Sequence, residues 1–97
     1  MPKGYWIANN IVHDLETYEQ YKAANAAVFA RYGARFIVRG GQQQVVEGEC
    51  FPRCVVIEFD SYADAVACYE SDEYTDALAI RAPISEGRLI IVEGYEG

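Results

Sequence analysis

The sequence predicts an α+β fold in which four strands form one antiparallel sheet and two helices cover one face of it. Four short segments rich in Val, Ile and aromatic residues carry apolar side chains in alternating or continuous runs, as β-strands do. Two intervening segments carry apolar side chains at three- and four-residue spacing, which is typical of amphipathic helices. A chain of 97 residues can enclose one hydrophobic core, and we expect residues 1–97 to form a single domain.

The first strand and the first helix follow each other directly. Residues 4–13 predict a strand with apolar side chains on both faces. The pair Asn9 and Asn10 interrupts this strand, either at a bulge or with side chains that point into a polar cavity. Asp14 is suited to cap the helix that follows, and the apolar stripe of this helix continues for about five turns until Gly33 ends it.

The second and third strands are joined by a segment rich in glycine and glutamine. Residues 34–40 predict the second strand, with a break or bulge at Gly40 and Gly41. Residues 43–49 predict a short continuation of that strand at the start of a hairpin. Residues 53–60 predict the third strand, in which successive side chains alternate between the two faces.

The second helix begins after Asp60 or Ser61, either of which can cap it. Its apolar side is broken near residues 70–74, which predicts two short helical pieces. Pro83 ends this segment, and residues 87–94 predict the fourth strand. The order βαββαβ is the ferredoxin-like arrangement. Because three of the four strands carry apolar residues on both faces, we expect a second subunit to cover the helix-free face of the sheet.

The balance of charge excludes one class of partner. Eight basic and fifteen acidic side chains give a net charge of −7, which repels a phosphate backbone, so we expect no nucleic acid to bind. The run of Arg39, Gly40 and Gly41 is therefore not expected to be an RNA-binding segment. The first ten residues contain neither a long apolar stretch nor a small-residue cleavage site, so we predict a cytoplasmic protein without a membrane span.

Metal and cofactor sites lack their usual sequence signals. Cys50, Cys54 and Cys68 are odd in number and are predicted to be reduced thiols. His13 is the only histidine, which leaves no histidine cluster for a metal, and we expect it at the surface. No phosphate loop, nucleophile elbow or dinucleotide fingerprint occurs in the sequence. We therefore predict neither a metal nor a cofactor.

Strand parity groups three polar residues on the helix-free face. If Phe36 and Val38 face the helices, Arg39 faces the opposite side, and the same parity places Glu58 there. The second and third strands are neighbours in a ferredoxin-like sheet, so we expect Arg39 and Glu58 to form an ion pair, with Asn9 of the first strand close by. This group is either a structural ion pair in a dimer interface or a polar cluster that binds a small anion or acts as an acid or base.

Several longer motifs carry a resemblance to a known family. They are KGYWIA, YKAANAAVFARYGARFIVRGG, VVIEFDSYADAVACYESDEY and LIIVEG. Through these motifs the chain resembles, over nearly its whole length, domain-of-unknown-function family 1330. The resemblance implies a dimeric α/β barrel, in which two ferredoxin-like sheets pack face to face and each subunit keeps a pocket. It also makes Tyr69, Tyr74 and Arg81, which follow the second-helix pattern of the family, further candidates for that pocket.

Two functions remain open at this point. The preferred one is a small homodimer that binds a small polar or aromatic organic molecule, and whether it also acts on that molecule as a cofactor-free enzyme is left open. The option of catalysis comes from the resemblance, because dimeric α/β barrels include cofactor-free monooxygenases and small-lactone isomerases, and it is an analogy of fold. The alternative is a non-catalytic dimeric module that binds a metabolite or serves as a structural partner.

Overall fold

The structure is a computed structural model that describes residues 2–96. Its elements are, in chain order, β1 (Gly4–Val12), α1 (Leu15–Arg31), β2 (Arg35–Arg39), β3 (Arg53–Phe59), α2 (Tyr62–Glu70), α3 (Asp72–Arg81) and β4 (Ser85–Glu93), with a 3₁₀ turn at Ala82–Ile84. The four strands form one antiparallel sheet in the order β2-β3-β1-β4. The predicted ferredoxin-like fold is thereby confirmed, although β4 begins slightly earlier than expected.

The hydrophobic core lies on one face of the sheet, around Trp6 of β1. Trp6 is 1% exposed, and its indole Nε1 donates a hydrogen bond to the Ala65 carbonyl of α2 at 2.8 Å. Its ring contacts Phe29 of α1, Tyr69 of α2 and Tyr74 of α3 edge-on, at centroid distances of 5.4, 5.6 and 4.9 Å. Because one side chain of β1 reaches all three helices, these helices cover the same face of the sheet.

Side-chain caps determine where the helices begin. Asp14 caps α1 and Ser61 caps α2, and each accepts a hydrogen bond from the backbone N–H three residues further on. Ser71 separates α2 from α3, because its hydroxyl donates to the Cys68 carbonyl at 2.7 Å and accepts from the Tyr74 N–H at 3.2 Å. One serine therefore closes α2 and opens α3. The predicted break of the second helix into two pieces is confirmed.

β2 contains a bulge that changes which side chains face the core. Phe36 pairs with Ile57 of β3 while Arg39 pairs with Val55, because the register shifts between Phe36 and Val38. Ile57 and Val55 are both buried in the core, so Arg39 also lies on the helix side of the sheet. The prediction that Val38 faces the helices and Arg39 the opposite side is wrong. The extra residue lies before Arg39 and not at the two glycines after it.

The segment between β2 and β3, residues 40–52, also departs from the prediction. Residues 43–49, which were expected to continue the strand, have no regular structure. Gly40 leaves the strand with a φ of 71°, and its N–H donates to the Cys54 carbonyl at 2.9 Å. A Cβ atom at Gly40 would lie 2.7 Å from Nη1 of Arg53. The positive φ and this close approach together explain why a glycine stands there.

The opposite face of the sheet carries none of the described helices and is largely apolar. The strand register brings Ile7, Val38, Val56, Ile90 and Val92 together on it. Four of these side chains are well exposed, at 36% for Ile7, 40% for Val38, 55% for Ile90 and 38% for Val92. A contiguous apolar patch of this kind is typical of an interaction surface.

Two smaller features bear on the remaining predictions. Cys50 is exposed, Cys54 is half-buried and Cys68 is buried, and all three are free thiols. Burial raises the pKa of Cys68 to about 12, so its thiol stays protonated and unreactive near neutral pH. Within residues 2–96, the helices are too short or too polar to cross a lipid bilayer.

Candidate functional site

A cavity of about 240 Å³ lies on the core side of the sheet, between the strands and α1. On the sheet side it is lined by Trp6, Ala8 and Asn10 of β1 and by neighbouring residues of β2, β3 and β4. Residues of α1 line the opposite side. Most of its lining is apolar or aromatic. That part of the lining consists of Trp6, Ala8, Tyr18, Tyr21, Phe29, Phe36, Val55, Ile57, Tyr69 and Leu89.

The cavity is basic although the protein is acidic. Four of the eight basic residues of the chain line it with their side chains, whereas none of its fifteen acidic residues does. The four are Lys22, Arg39, Arg53 and Arg81. Arg88 borders the cavity on β4, but its side chain lies on the helix-free face, because Arg88 pairs with Asn9. In the part of the chain that the structure describes, Arg39 and Arg53 have no carboxylate within ion-pair distance. Positive charge gathered in a cleft without carboxylates attracts an anion.

Three arginines of the cavity lie over aromatic rings. The distances from the guanidinium carbon to the ring centroid are 4.0 Å for Arg39 over Phe36, 5.3 Å for Arg53 over Tyr18 and 5.4 Å for Arg81 over Tyr21. A cation–π contact does not occupy the N–H groups of a guanidinium. Arg39 and Arg53 are therefore positioned with N–H donors left for a ligand, whereas Arg81 uses Nη2 on the Tyr74 hydroxyl.

Two asparagines line the same cavity without side-chain partners. Asn10 of β1 is 6% exposed and Asn25 of α1 is 3% exposed. The side-chain oxygens of both, and Nε of Arg53, are buried and accept or donate no hydrogen bond within residues 2–96. Buried amides usually have partners. The helix and the sheet thus each contribute an unmatched amide to the cavity.

Tyr21 and Arg81 line the cavity, and both contact Tyr74, which is fully buried and does not line it. The hydroxyls of Tyr21 and Tyr74 lie 2.9 Å apart, and Nη2 of Arg81 donates to the Tyr74 hydroxyl at 3.5 Å. Burial, with the neighbouring Tyr21, raises the pKa of Tyr74, so Tyr74 remains a neutral phenol. If Arg81 donates to Tyr74 and Tyr74 donates to Tyr21, the Tyr21 proton is free to point towards the cavity.

Glu58 lies on the opposite face of the sheet, away from this cavity. It accepts hydrogen bonds from the Tyr5 hydroxyl at 3.0 Å and from Nε of Arg35 at 3.1 Å. The Tyr5 hydroxyl first, and then Arg35, lower the pKa of the Glu58 carboxyl. The predicted ion pair between Arg39 and Glu58 is wrong, because Arg39 pairs with Val55, which is about 10 Å along the strand from Glu58. Arg35 takes the place expected for Arg39.

Asn9 lies on the helix-free face as expected, but it is not close to Glu58 in the register. Its Nδ2 donates to the carbonyls of Phe51 and Arg53 at 3.0 Å each, and its Oδ1 accepts from the Phe51 N–H at 2.7 Å. All of these partners are backbone atoms at the entrance to β3. Asn9 therefore anchors that entrance, and both N–H donors of its amide are occupied by backbone carbonyls.

The cavity collects some of the predicted site residues and omits others. Arg39, Tyr69 and Arg81 line it, whereas Tyr74 is fully buried behind Tyr21. Their roles towards a ligand stay predictions. Four further lining residues of polar or basic character were not among the predicted site residues. They are Asn10, Lys22, Asn25 and Arg53. For Asn10, a side chain that points into a polar cavity was one of the two alternatives that the sequence left open.

His13 lies at the exposed junction of β1 and α1, where its Nε2 is 2.8 Å from Oε2 of Glu86. This is the surface position that the sequence suggested. No group of three or more histidine, cysteine, aspartate or glutamate side chains suited to a metal occurs in residues 2–96.

Comparison with known proteins gives the chain a family. The model of the Domain of unknown function (DUF1330) matches residues 3–95. No protein with a curated description matches the chain.

Solved structures with a similar fold include proteins of unknown function and one enzyme. A protein of unknown function from Rhodopseudomonas palustris is 18% identical with a TM-score of 0.77, over 99% of this chain and 85% of that chain. SnoaB, a cofactor-independent oxygenase from Streptomyces nogalater, is 12% identical with a TM-score of 0.66, over 100% and 97%. A dimeric ferredoxin-like protein of unknown function from Thermobifida fusca is 20% identical with a TM-score of 0.60, over 95% and 89%. At these identities the likeness is one of fold.

The lowered pKa of Glu58 predicts how this carboxylate contributes to stability. A group whose pKa is lower in the folded state stabilises the fold above its unfolded pKa, and this contribution is lost as the pH falls through the folded pKa. The difference in free energy of unfolding between the wild type and Glu58→Gln should therefore be largest near neutral pH and shrink below about pH 4.3. Urea unfolding at a series of pH values measures it.

Tyr5→Phe provides the matched control for this prediction, because it removes the first of the two donors and leaves the carboxylate. In the Tyr5→Phe background, the effect of Glu58→Gln should depend less on pH. A difference between wild type and Glu58→Gln that stays constant from neutral to acid pH would contradict the prediction.

Proposed function

Because this chain belongs to the DUF1330 family of domains of unknown function, whose match over residues 3–95 includes the whole cavity, we propose its function from that cavity: the protein binds a small organic anion between its sheet and α1. The observation that carries this proposal is the charge of the lining. Four of eight basic residues point their side chains there, with no acidic residue, in a chain of net charge −7. Gathering cations in one cleft is unfavourable unless an anion offsets their repulsion.

The geometry of the arginines favours a carboxylate or an enolate over a simple ion. A guanidinium that rests with its face on an aromatic ring presents a planar fork of N–H donors, which matches two oxygens of one planar group. The apolar lining next to these forks provides space for a hydrocarbon or aromatic part of the ligand. A volume of about 240 Å³ lies below the range of roughly 300–1,000 Å³ typical of sites for drug-sized ligands, which supports a small one.

We expect Arg53→Met to weaken the binding of a simple aromatic acid such as phenylacetate. Arg53 is half-buried with an unpartnered Nε, and hydrogen bonds to charged groups are worth roughly 1.5–3 kcal/mol, which is a loss of about ten- to a hundredfold in affinity. Isothermal titration calorimetry at low ionic strength measures the affinities.

Arg31→Met is the control, because it removes the same charge from an exposed arginine that pairs with Glu73 outside the cavity. Its affinity for phenylacetate should stay within about twofold of the wild type, and added salt should weaken binding to both proteins. Equal losses in the two variants would contradict a specific site, since they would reflect net charge alone.

The second candidate function is cofactor-free catalysis at the same cavity, through an enolate or phenolate. The cationic forks favour the ionised form of a bound carbon or oxygen acid, because donors prearranged around developing negative charge stabilise it. Both of the reaction classes considered for this fold, oxygenation and isomerisation, can begin with that loss of a proton. The fold of the cofactor-independent oxygenase SnoaB supports the candidate by analogy only.

Deuterium exchange tests this candidate without requiring knowledge of the product. We expect the protein to accelerate exchange of the methylene protons of phenylpyruvate in D₂O, since the proton leaves carbon as the enolate forms and a deuteron replaces it. Loss of one stabilising donor typically costs about a hundredfold in rate, so Arg53→Met should lose most of the acceleration and Arg31→Met should keep it. Proton NMR follows the exchange. Binding without any acceleration would leave a non-catalytic binding protein.

We further propose that the chain is a homodimer that buries the helix-free face of the sheet. The exposed apolar side chains of that face carry the proposal, together with the dimeric state of the ferredoxin-like protein from Thermobifida fusca. Sheet packed on sheet is the usual way to bury two such faces. The ion pair between Glu58 and Arg35 would then lie beside the apolar centre of the interface.

Light scattering should give about twice the chain mass of 10.9 kDa for the wild type at micromolar concentration. Ile90→Lys places a charge in the centre of the apolar face and should give a monomer, because a buried unpaired charge costs several kcal/mol. Leu15→Lys changes another exposed aliphatic residue, 73% exposed at the start of α1, and should remain dimeric. A monomeric wild type, or a dimeric Ile90→Lys, would contradict the proposed interface.

A further inference from the structure

We propose that the ligand of the cavity is a hydroxy acid, whose carboxylate binds the arginines and whose hydroxyl binds the asparagine pair Asn10 and Asn25. This inference rests on the proposed function, because it describes a second group on the same anionic ligand. It is carried by an independent observation, namely that two amides line the cavity from opposite walls and have no partner in the described chain.

The asparagine pair is unusual by comparison with its own neighbour. Asn9, the residue before Asn10, makes three hydrogen bonds to backbone atoms, two donated by its Nδ2 and one accepted by its Oδ1. Asn10 and Asn25 are more deeply buried than most amides, at 6% and 3% exposure, and their side-chain oxygens lack any partner within residues 2–96. Amides kept purely for structure are bonded in the way Asn9 is. Unmatched amides in the wall of a cavity are expected to bind what enters it.

A hydroxyl is the group that best fits both amides. The oxygen and nitrogen of an asparagine side chain can exchange places by a rotation that keeps the shape of the residue, so the cavity can present either an acceptor or a donor. A hydroxyl donates one hydrogen bond and accepts two, and it therefore satisfies an amide in either orientation. A methoxy group can only accept, and a methylene group can do neither.

The amides are neutral, and this separates them in function from the arginines. A second carboxylate is better matched by a guanidinium than by a neutral amide, and the basic residues of the lining already supply that match. Neutral amides beside cations therefore indicate a neutral polar group close to the acid group of one ligand. An alcohol, an enol or a phenol next to a carboxylate has this pattern.

Matched acids test the inference. Titration calorimetry would compare mandelate with phenylacetate, which lacks the hydroxyl, and with O-methylmandelate, which cannot donate; lactate and propionate form a second, smaller pair. We expect at least one hydroxy acid to bind wild-type protein about tenfold more tightly than its partner without the hydroxyl, as one added hydrogen bond of about 1.4 kcal/mol would give. The methoxy acid should bind less tightly than mandelate, because its ether oxygen can accept a hydrogen bond but cannot donate one.

The variants locate the effect. Asn25→Leu and Asn10→Leu should each bring the ratio of the affinities for the hydroxy acid and the plain acid closer to one. Gln20→Leu removes an amide from an exposed position of α1 and should keep the preference in full. Circular dichroism verifies folding, and Asn25→Ala or Asn10→Ala replaces a leucine variant that does not fold.

The outcomes separate this inference from the proposed function. Equal affinities of wild-type protein for hydroxy and plain acids, with weaker binding by Arg53→Met, would overturn the hydroxy-acid inference and keep the anion site. A preference for the hydroxy acid that survives in every asparagine variant would also overturn it. If no acid of either pair binds, the anion site fails and the inference fails with it.

Discussion

The register of β2 against β3 decides which chemistry each face of the sheet carries. The two strands pair with one extra residue in β2, between Phe36 and Val38. Because side chains alternate along a strand, this single residue exchanges the faces of every position after it. Arg39 moves to the core side and reaches the cavity, and Val38 moves to the apolar face beside Val56. A regular strand would place a charge in the middle of that apolar face and remove one from the cavity.

The distribution of charge follows from the same division of the sheet. Salt at physiological concentration screens exposed charges beyond about 8 Å, so the acidic exterior acts only weakly on groups inside the cavity. Arg39, Arg53 and Arg81 in the cavity lie over aromatic rings, without carboxylates among the lining residues. Arg35, which has carboxylate partners, lies on the other face. The chain is thus acidic as a whole and basic in one place, and only the local charge bears on binding.

The sequence predicted most of the fold because the elements are specified locally. Helix caps such as Asp14 and Ser61 and the hydrophobic periodicity of each element act within a few residues. The bulge was not predicted, since no glycine or proline marks it within β2, and the strand pairing that creates it depends on β3. Parity also contained an unused signal, because Arg53 shares the face of Val55 and Ile57 in a regular strand. The cavity arginine of β3 could therefore have been predicted, whereas that of β2 could not.

Asn9 and Asn10 show how parity alone gives identical side chains different tasks. Asn9 points to the helix-free face and binds the backbone at Phe51 and Arg53, which fixes where β3 begins. Since the start of β3 sets the position of Arg53, the amide on one face helps to place a guanidinium on the other. Asn10 points to the core side and lines the cavity with its amide unmatched. Asn9 thus helps to position Arg53, which would bind the acid group of the ligand. Asn10 supplies a neutral amide that would bind the hydroxyl of the same ligand.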